Sequence, residues 1–354
     1  MERKIKKTSI KDIAKEAGVA ISTVSHVINK TKNVSEITKD KVQNAIKKLN
    51  YRPNIIARSL RTKKTRTIGV ILPDISQPFF AQVVRGIEQV ARKRNYTLIM
   101  ACSFYDIKEE ERQMNTMIDQ SIDGLMFFCG YDSYDHIKKA YDSNLPVVVL
   151  DREIEDKEIP SVLIDNKLAM ESAVQYLYDH GHRKIGYLTF PYDSQTTIRR
   201  RYEGYCSGLR KNNLEYDPDI VIIDDKMRLA ELKESYSIIK RKVEENKIAT
   251  AYCFLADFLA IGAMHAFKEI GLKIPEDISI IGFNNEIICE FADPPLTTVK
   301  QPKKLMGMTA ANLIIDIIEN KEIKNKNIVL ETNIVERKSV ANPKPTVESM
   351  SFAP

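Results

Sequence analysis

Ser22, Ser25, His26 and Asn29 recur at spacings that, at about 100° per residue, gather them on one side of a helix, with Val24, Val27 and Ile28 on the other. Hydroxyl, imidazole and carboxamide groups each donate and accept hydrogen bonds, which is the chemistry needed to touch base edges or phosphate oxygens. No comparable set points to catalysis. The chain has no Gly-x-Gly-x-x-Gly, no phosphate-binding loop, no nucleophile elbow and no metal-ligand spacing. Its five cysteines (Cys102, Cys129, Cys206, Cys253 and Cys289) are widely and irregularly spaced without a Cys-x-x-Cys pair, so neither a disulfide framework nor a zinc site follows and a reducing compartment fits. No enzyme activity, no cofactor and no metal are therefore expected.

The polar helix needs neighbours to hold it. Ile10, Ile13, Ala14 and Ala17 form an apolar stripe just upstream, introduced by Ser9 and Asp12 in a capping-box arrangement and broken by Gly18. A third helix is predicted from a cap at Ser35 to about residue 50, offering Ile37, Val42, Ala45, Ile46 and Leu49 to the other two. Two helices joined by a tight glycine turn, the second polar in front, have the geometry of a helix-turn-helix, whose second helix fits a major groove about 12 Å wide. Charge agrees with a polyanionic partner. Residues 1–66 hold 18 Lys and Arg against 5 Asp and Glu, a net of +13, whereas the other 288 residues sum to −7, so the overall +6 is a near-cancellation. An ordinary three-helix module with a solvated basic face is the competing reading.

From residue 67 onward short apolar runs (IGVIL, TLIMA, GLMFF, PVVVL, SVLID, KIGYL, IVII, AYCFL, ISIIGF) alternate with helical stretches. Strands apolar on both faces that alternate with helices mean parallel α/β sheets, and nine or ten strands over about 270 residues divide better into two lobes than one. The expected division is a first lobe of about 68–160 with 292–324 and a second of about 161–291 with 325–340, followed by a flexible tail, 341–354. Hydrophobic residues make up 43% and charged residues 29%, as in a soluble globular protein. The longest apolar stretch, 251–267, contains Asp257 and His265 and falls short of a membrane span. The charged N-terminus shows no secretory signal, so a cytoplasmic protein is expected.

Two longer segments carry a resemblance. IKDIAKEAGVAISTVSHVINKTKNVS is similar to the DNA-binding headpiece of the lactose-repressor (LacI/GalR) family, and YRPNIIARSLRTKKTRTIGVILPDIS to that family's hinge running into its core; DGLMFF, HGHRKIGYL, DISIIGFNN and PPLTTVKQP continue it along nearly the whole chain. The resemblance implies a helix-turn-helix headpiece (1–52), a hinge helix and linker (53–66), and a two-lobed periplasmic-binding-protein-like α/β core (67–340). It implies a homodimeric transcription regulator, a repressor, binding double-stranded pseudo-palindromic operator DNA under control of a small-molecule effector. Carried over, the base contacts fall on Ile21, Ser22 and His26, and the phosphate contacts on Thr23, Ser25, Asn29, Ser35 and Thr38. Ala20 stands where the family usually has Ser, removing a cap and a phosphate contact. In the hinge, too short to persist alone as a helix, Leu60 matches the minor-groove wedge, Ile56 and Ala57 face the partner hinge or groove wall, and Arg61 belongs to the same minor-groove set.

The clamshell implied by the resemblance binds ligands between lobes at the C-terminal ends of strands. Phe79, Phe80, Asp151, Asp257, Asn284 and Gln301 follow such strands and Arg201 is expected to open a helix; these seven are the candidate effector contacts, with aromatic, carboxylate, guanidinium and amide groups suited to a polyhydroxylated ligand. Phe79 and Phe80 could equally be packing residues, and Asp257 a helix cap. Asn284 replaces the usual Asp, and Asp225 or Lys226 stands where an aromatic commonly lines the pocket. A sugar or glycoside is favoured over a purine or phosphorylated effector.

Overall fold

In a computed structural model, residues 8–29, 32–51, 64–128, 132–191, 195–223, 232–245 and 247–344 are described, in two units, Met1–Thr65 and Arg66–Pro354. The hinge positions Ile56, Ala57, Leu60 and Arg61, the residues Asp225 and Lys226, and 345–354 lie outside the described residues.

In the N-terminal unit, α1 (Ile10–Ala17) begins where the Ser9 backbone N–H and hydroxyl both donate to the Asp12 carboxylate, at 2.8 and 2.7 Å. It stops at Gly18, whose φ of 63° is left-handed and costs a residue with a Cβ about 1–2 kcal/mol. The N–H groups of Gly18 and Val19 close on the carbonyls of Lys15 and Ala14, and α2 (Ile21–Asn29) follows at once. Thr23 and Val24 N–H groups donate to the Ala20 carbonyl, so Ala20 holds the cap position with no side-chain oxygen to offer. α3 (Glu36–Lys48) starts at Ser35, whose hydroxyl accepts from the Thr38 N–H. Ile13, Ala14, Ala17, Val24, Val42 and Ala45 form the buried core. Ile37, expected to pack with them, is 72% exposed. It precedes Val42 by five residues, about 140° around the helix, and so points away from the core.

The second unit contains two six-stranded sheets. The first has the order β11-β5-β4-β3-β1-β2, all parallel, from β1 (Thr67–Leu72), β2 (Thr97–Cys102), β3 (Gly124–Phe128), β4 (Val147–Leu150), β5 (Ser161–Ile164) and β11 (Asn327–Leu330). The second has the order β12-β10-β9-β8-β6-β7, from β6 (Ile185–Thr189), β7 (Val221–Ile223), β8 (Ala251–Phe254), β9 (Ser279–Asn284), β10 (Thr297–Lys300) and β12 (Asn333–Val335), parallel except β12. Helices α4 (Pro78–Lys93), α5 (Ile107–Asp119), α6 (Asp135–Asp142) and α12 (Lys303–Ile318) serve the first lobe. Helices α7 (Asn166–Asp179), α8 (Thr196–Lys211), α9 (Leu232–Glu244), α10 (Asp257–Glu269) and the short α11 (Ile288–Phe291) belong to the second.

This connectivity corrects the expected lobe limits. The chain crosses between lobes after Ile164, Lys300 and Leu330 rather than near 160, 291 and 324, because β5 and β11 pair with each other in the first sheet while β10 pairs with β9 in the second. Among the core's elements α12, far along the sequence, packs most extensively on α4. That approach is backbone on backbone: a Cβ at Gly86 would sit 2.3 Å from the Lys304 carbonyl oxygen and one at Gly307 2.0 Å from that of Val83. The start of the expected flexible tail is anchored instead. Ala341 accepts from His182 Nε2 (2.9 Å) and donates through its N–H to Ser279 Oγ, and Lys344 pairs with Asp277 at 2.6 Å.

Candidate functional site

On α2 the apolar side turns inward through the wholly buried Val24, and the opposite side carries exposed Ile21 and Ser22 with half-buried Thr23, Ser25 and His26. The Ser35 and Thr38 hydroxyls lie 2.9 Å apart at the start of α3. Lys48 pairs with Glu16 at 2.6 Å, tying α3 to α1. A rigid three-helix frame thus presents a short helix by its polar side.

In the body, strand ends of both lobes line an open cleft of about 100 Å³. Six of the seven candidate effector residues line it: Phe79, Phe80, Asp151, Arg201, Asn284 and Gln301. Phe79 and Phe80 also belong to the hydrophobic core, Phe80 meeting Phe128 edge-on at 5.4 Å between ring centres, so the packing and lining readings both hold. Arg201 does not open its helix; α8 starts at Thr196 and places Arg201 in the second turn. Its Nε donates to Asn166 Oδ1 (2.8 Å), its Nη1 to the Leu255 carbonyl (2.9 Å), and its guanidinium stacks 3.8 Å from the centre of the Phe283 ring. The Asp151 carboxyl is buried, with φ 48° at its Cα. Burial pushes its pKa up to about 6 against the opposing pull of the Arg201 charge and a hydrogen bond from Asn166.

Asn284 ends β9 at φ 113°, a conformation that ordinary side chains avoid, and Asn285 follows at 54°. Lys303 holds this turn, donating to the carbonyls of Asn284 (2.7 Å) and Asn285 (2.9 Å) and pairing with buried Glu286 at 3.0 Å. The Asn284 Oδ1 accepts from Gln301 Nε2 at 2.8 Å. Two buried oxygens on the lining residues, Asp151 Oδ1 and Gln301 Oε1, have no hydrogen-bond partner among the described residues, although a buried acceptor left unpaired costs about 1–3 kcal/mol.

Asp257 is the exception among the seven. It is wholly buried away from the cleft lining, accepts from Thr298 Oγ1 (2.5 Å) and the Glu286 N–H (2.7 Å), and is pushed up to about 6 by burial. It belongs to neither expected role as drawn: Ala256 occupies the cap, and the carboxylate fastens the β9–α11 turn to β10. Tyr105, Phe190, Thr197 and Phe258, none of them among the seven candidates, also line the cleft. Phe190 and Phe258 stack at 6.2 Å, and Gln77 Nε2 holds the Tyr105 hydroxyl at 2.7 Å, so aromatic surface is supplied without residue 225 or 226. An aromatic just past a strand was a readable signal for Phe190. Nothing in the sequence announced that Phe104 and Tyr105 both adopt left-handed φ, 52° and 57°.

The family model for bacterial regulatory proteins of the lacI family matches residues 9–54, and that for the periplasmic binding protein-like domain matches 174–340. Similarity to the HTH-type transcriptional regulator RegA of Clostridium saccharobutylicum is 34% identity, covering 94% of this chain and 99% of that protein. The chain belongs to the LacI family. The HTH-type transcriptional repressor PurR of Aliivibrio salmonicida is likewise 34% identical over 94% of this chain and 98% of its own length. A crystal structure of the Lac repressor dimer bound to operator and an anti-inducer superposes with a TM-score of 0.84 at 27% identity, covering 95% of this chain and all of that one. As a LacI-family member the protein is a DNA-binding transcriptional regulator, and the family consists of regulators rather than enzymes. Among the described residues no helix is long and apolar enough to cross a membrane.

Proposed function

We propose that this LacI-family regulator is a repressor that binds a pseudo-palindromic operator as a homodimer and answers to a neutral, donor-rich small molecule, a sugar or glycoside, in the cleft. The observation that carries the effector class is the pair of unpartnered buried acceptors, Asp151 Oδ1 and Gln301 Oε1. Each calls for a donor from the ligand, and sugar hydroxyls supply donors while fitting beside aromatic faces. A phosphate brings acceptors and negative charge toward a buried carboxyl, and is disfavoured. A purine is the second reading: its amino group donates, Phe190 and Phe258 offer flat surface, and the similarity to PurR points the same way.

At the DNA end, Ile21, Ser22 and His26 are the proposed base contacts, Ile21 apolar against a thymine methyl and the other two by hydrogen bonds. Thr23, Ser25, Asn29, Ser35 and Thr38 are proposed to hold phosphates, and Ile56, Ala57, Leu60 and Arg61 to enter the minor groove, the last four on the resemblance alone. A homodimer is supported by exposed apolar side chains in two places: Met100 and Phe104 at edge strand β2 and its exit, and Ile287, Ile288 and Phe291 (75% exposed) around α11. Work on DNA without a membrane span fits a cytoplasmic protein.

The test is a band shift with the full chain and palindromes near its own gene, with and without ligands found by a thermal-shift panel of sugars and purines. Retardation that changes with one sugar supports the reading. A purine as the sole active ligand selects the second reading, and no specific retardation under any condition overturns both.

A further inference from the structure

Helix α8 carries Arg199, Arg200 and Arg201 in succession; the first two pair with carboxylates of the opposite lobe and the third lines the cleft with Asp151. Arg199 Nη1 lies 2.6 Å from Asp132 Oδ2, and the Thr196 hydroxyl bonds the other oxygen of the same carboxylate. Arg200 grips Glu153 with two parallel bonds, Nε to Oε2 at 2.8 Å and Nη2 to Oε1 at 3.0 Å, while its Nη1 reaches Glu203 on its own helix at 2.9 Å. Arg201 lines the same cleft as Asp151 and its charge acts on that carboxyl, while Thr197 Oγ1 donates to the Asp151 carbonyl at 2.9 Å. The cations all come from the second lobe and the three facing anions all from the first, so separating the lobes breaks every pair at once.

The first lobe fixes its three anions with one buried cation. Arg152, wholly buried between Asp151 and Glu153 in the chain, turns inward; its Nη1 donates to Glu110 Oε1 at 3.0 Å and its Nη2 to the carbonyl of Ser133, the residue after Asp132. Glu110 is held in turn by His136 Nε2 at 2.7 Å. One guanidinium thereby fastens together the two loops that carry Asp132, Asp151 and Glu153.

We propose that Arg199, Arg200 and Arg201 form a charge zipper with Asp132, Glu153 and Asp151 that sets how far the lobes open and positions the two halves of the cleft for its ligand. The innermost pair lines the cleft and is reached by the ligand. The two outer pairs act on lobe separation alone. For its last step this rests on the reading of the cleft as the effector site, and it carries a consequence that reading lacks: even an uncharged ligand binds more weakly as salt rises, because salt screens the outer pairs, which are only half-buried.

The test needs no ligand. Genetically encoded spin labels at exposed Glu111 in the first lobe and Lys273 in the second avoid the five native cysteines, and pulsed dipolar spectroscopy on the full chain reads the interlobe distance. Raising salt from roughly 50 to roughly 500 mM shifts the distance distribution of the natural protein toward the open form. Arg199→Gln, Arg200→Gln and Glu153→Gln each do the same at low salt, changing the closed-to-open ratio about two- to fivefold. Glu153→Gln adds little once Arg200→Gln is present, because both remove the same pair. Distributions unchanged by all three substitutions, or full additivity of Arg200→Gln and Glu153→Gln, overturn the zipper. Failure of every sugar and purine to bind sinks the effector reading and leaves this measurement intact.

Discussion

Six buried side chains, from Ile13 to Ala45, hold the headpiece together, whereas the body buries whole strands such as Gly124–Phe128 and Val147–Leu150 without an exposed residue. Among the described residues the headpiece buries no charged side chain. The body encloses Asp151, Arg152, Arg201, Asp257 and Lys303. A large apolar core tolerates such groups because the surrounding packing offsets their desolvation, and a six-residue core leaves no margin for one. The two units therefore divide the work by kind. In the small unit polar groups stay outside and meet DNA; in the large one they are drawn inside, where they meet a ligand and each other.

The contrast is broken most severely at Val24. Val24→Asp puts a carboxylate into the headpiece core at a cost of several kcal/mol, so specific retardation of operator DNA is expected to vanish while ligand-dependent stabilisation of the body, read by thermal shift, persists. Loss of both together would show that the units do not fold independently.

The next effect is a pH dependence in the body. Asp151 and Asp257 titrate near 6 when folded against an ordinary 3.8, so between those values the folded state binds more protons and stability falls as pH rises. Buried His182, pushed down to about 4, contributes in the opposite direction, its penalty lifting as pH rises from 4 towards 6.5. The difference between variant and natural protein isolates one group. Asp151→Asn should match the natural protein near pH 4 and exceed it by about 2 kcal/mol at pH 7, in denaturant melts; equal stability at both values would refute the burial argument.

Smaller still are the contact losses. His26→Ala should weaken operator binding about tenfold in anisotropy titrations and leave ligand binding unchanged, and Asp151→Ala should do the converse. Either substitution acting on both activities equally would blur the division. At the small end, Ile37→Ser should change headpiece stability by no more than about 0.5 kcal/mol, since its side chain already faces solvent.

What could be read beforehand follows the range of the interactions. Helix periodicity and the glycine at 18 are local, and they located α1, α2 and α3; continuous apolar runs located β1 to β9. The strands β11 and β12 carry no long apolar run, being only partly buried. Their partners decide the lobe limits, and pairing such as Asn327 with Ser161 is invisible to any local window. In the cleft, strand-end position points to Asp151, Asn284 and Gln301, whereas Arg201 lies within a helix. It misplaced Asp257, because a helix-start carboxylate looks the same whether it faces a ligand or, as here, Thr298 and Glu286. It missed Tyr105, which reaches the lining only through left-handed backbone at two successive residues.

The close seating of α12 on α4, through Gly86 and Gly307, also has a temporal meaning. During synthesis the N-terminal helices emerge first and hold all they need, and domains generally fold as units as they emerge. The first lobe emerges next but stays unfinished, its α4 face bare and its sheet lacking β11, until residues 303–330 leave the ribosome. By then the strands β6 to β9 of the second lobe are already outside. The lobe begun first is thus completed late, and a chain interrupted before residue 303 would carry a headpiece with every residue of its polar helix beside a body that cannot close.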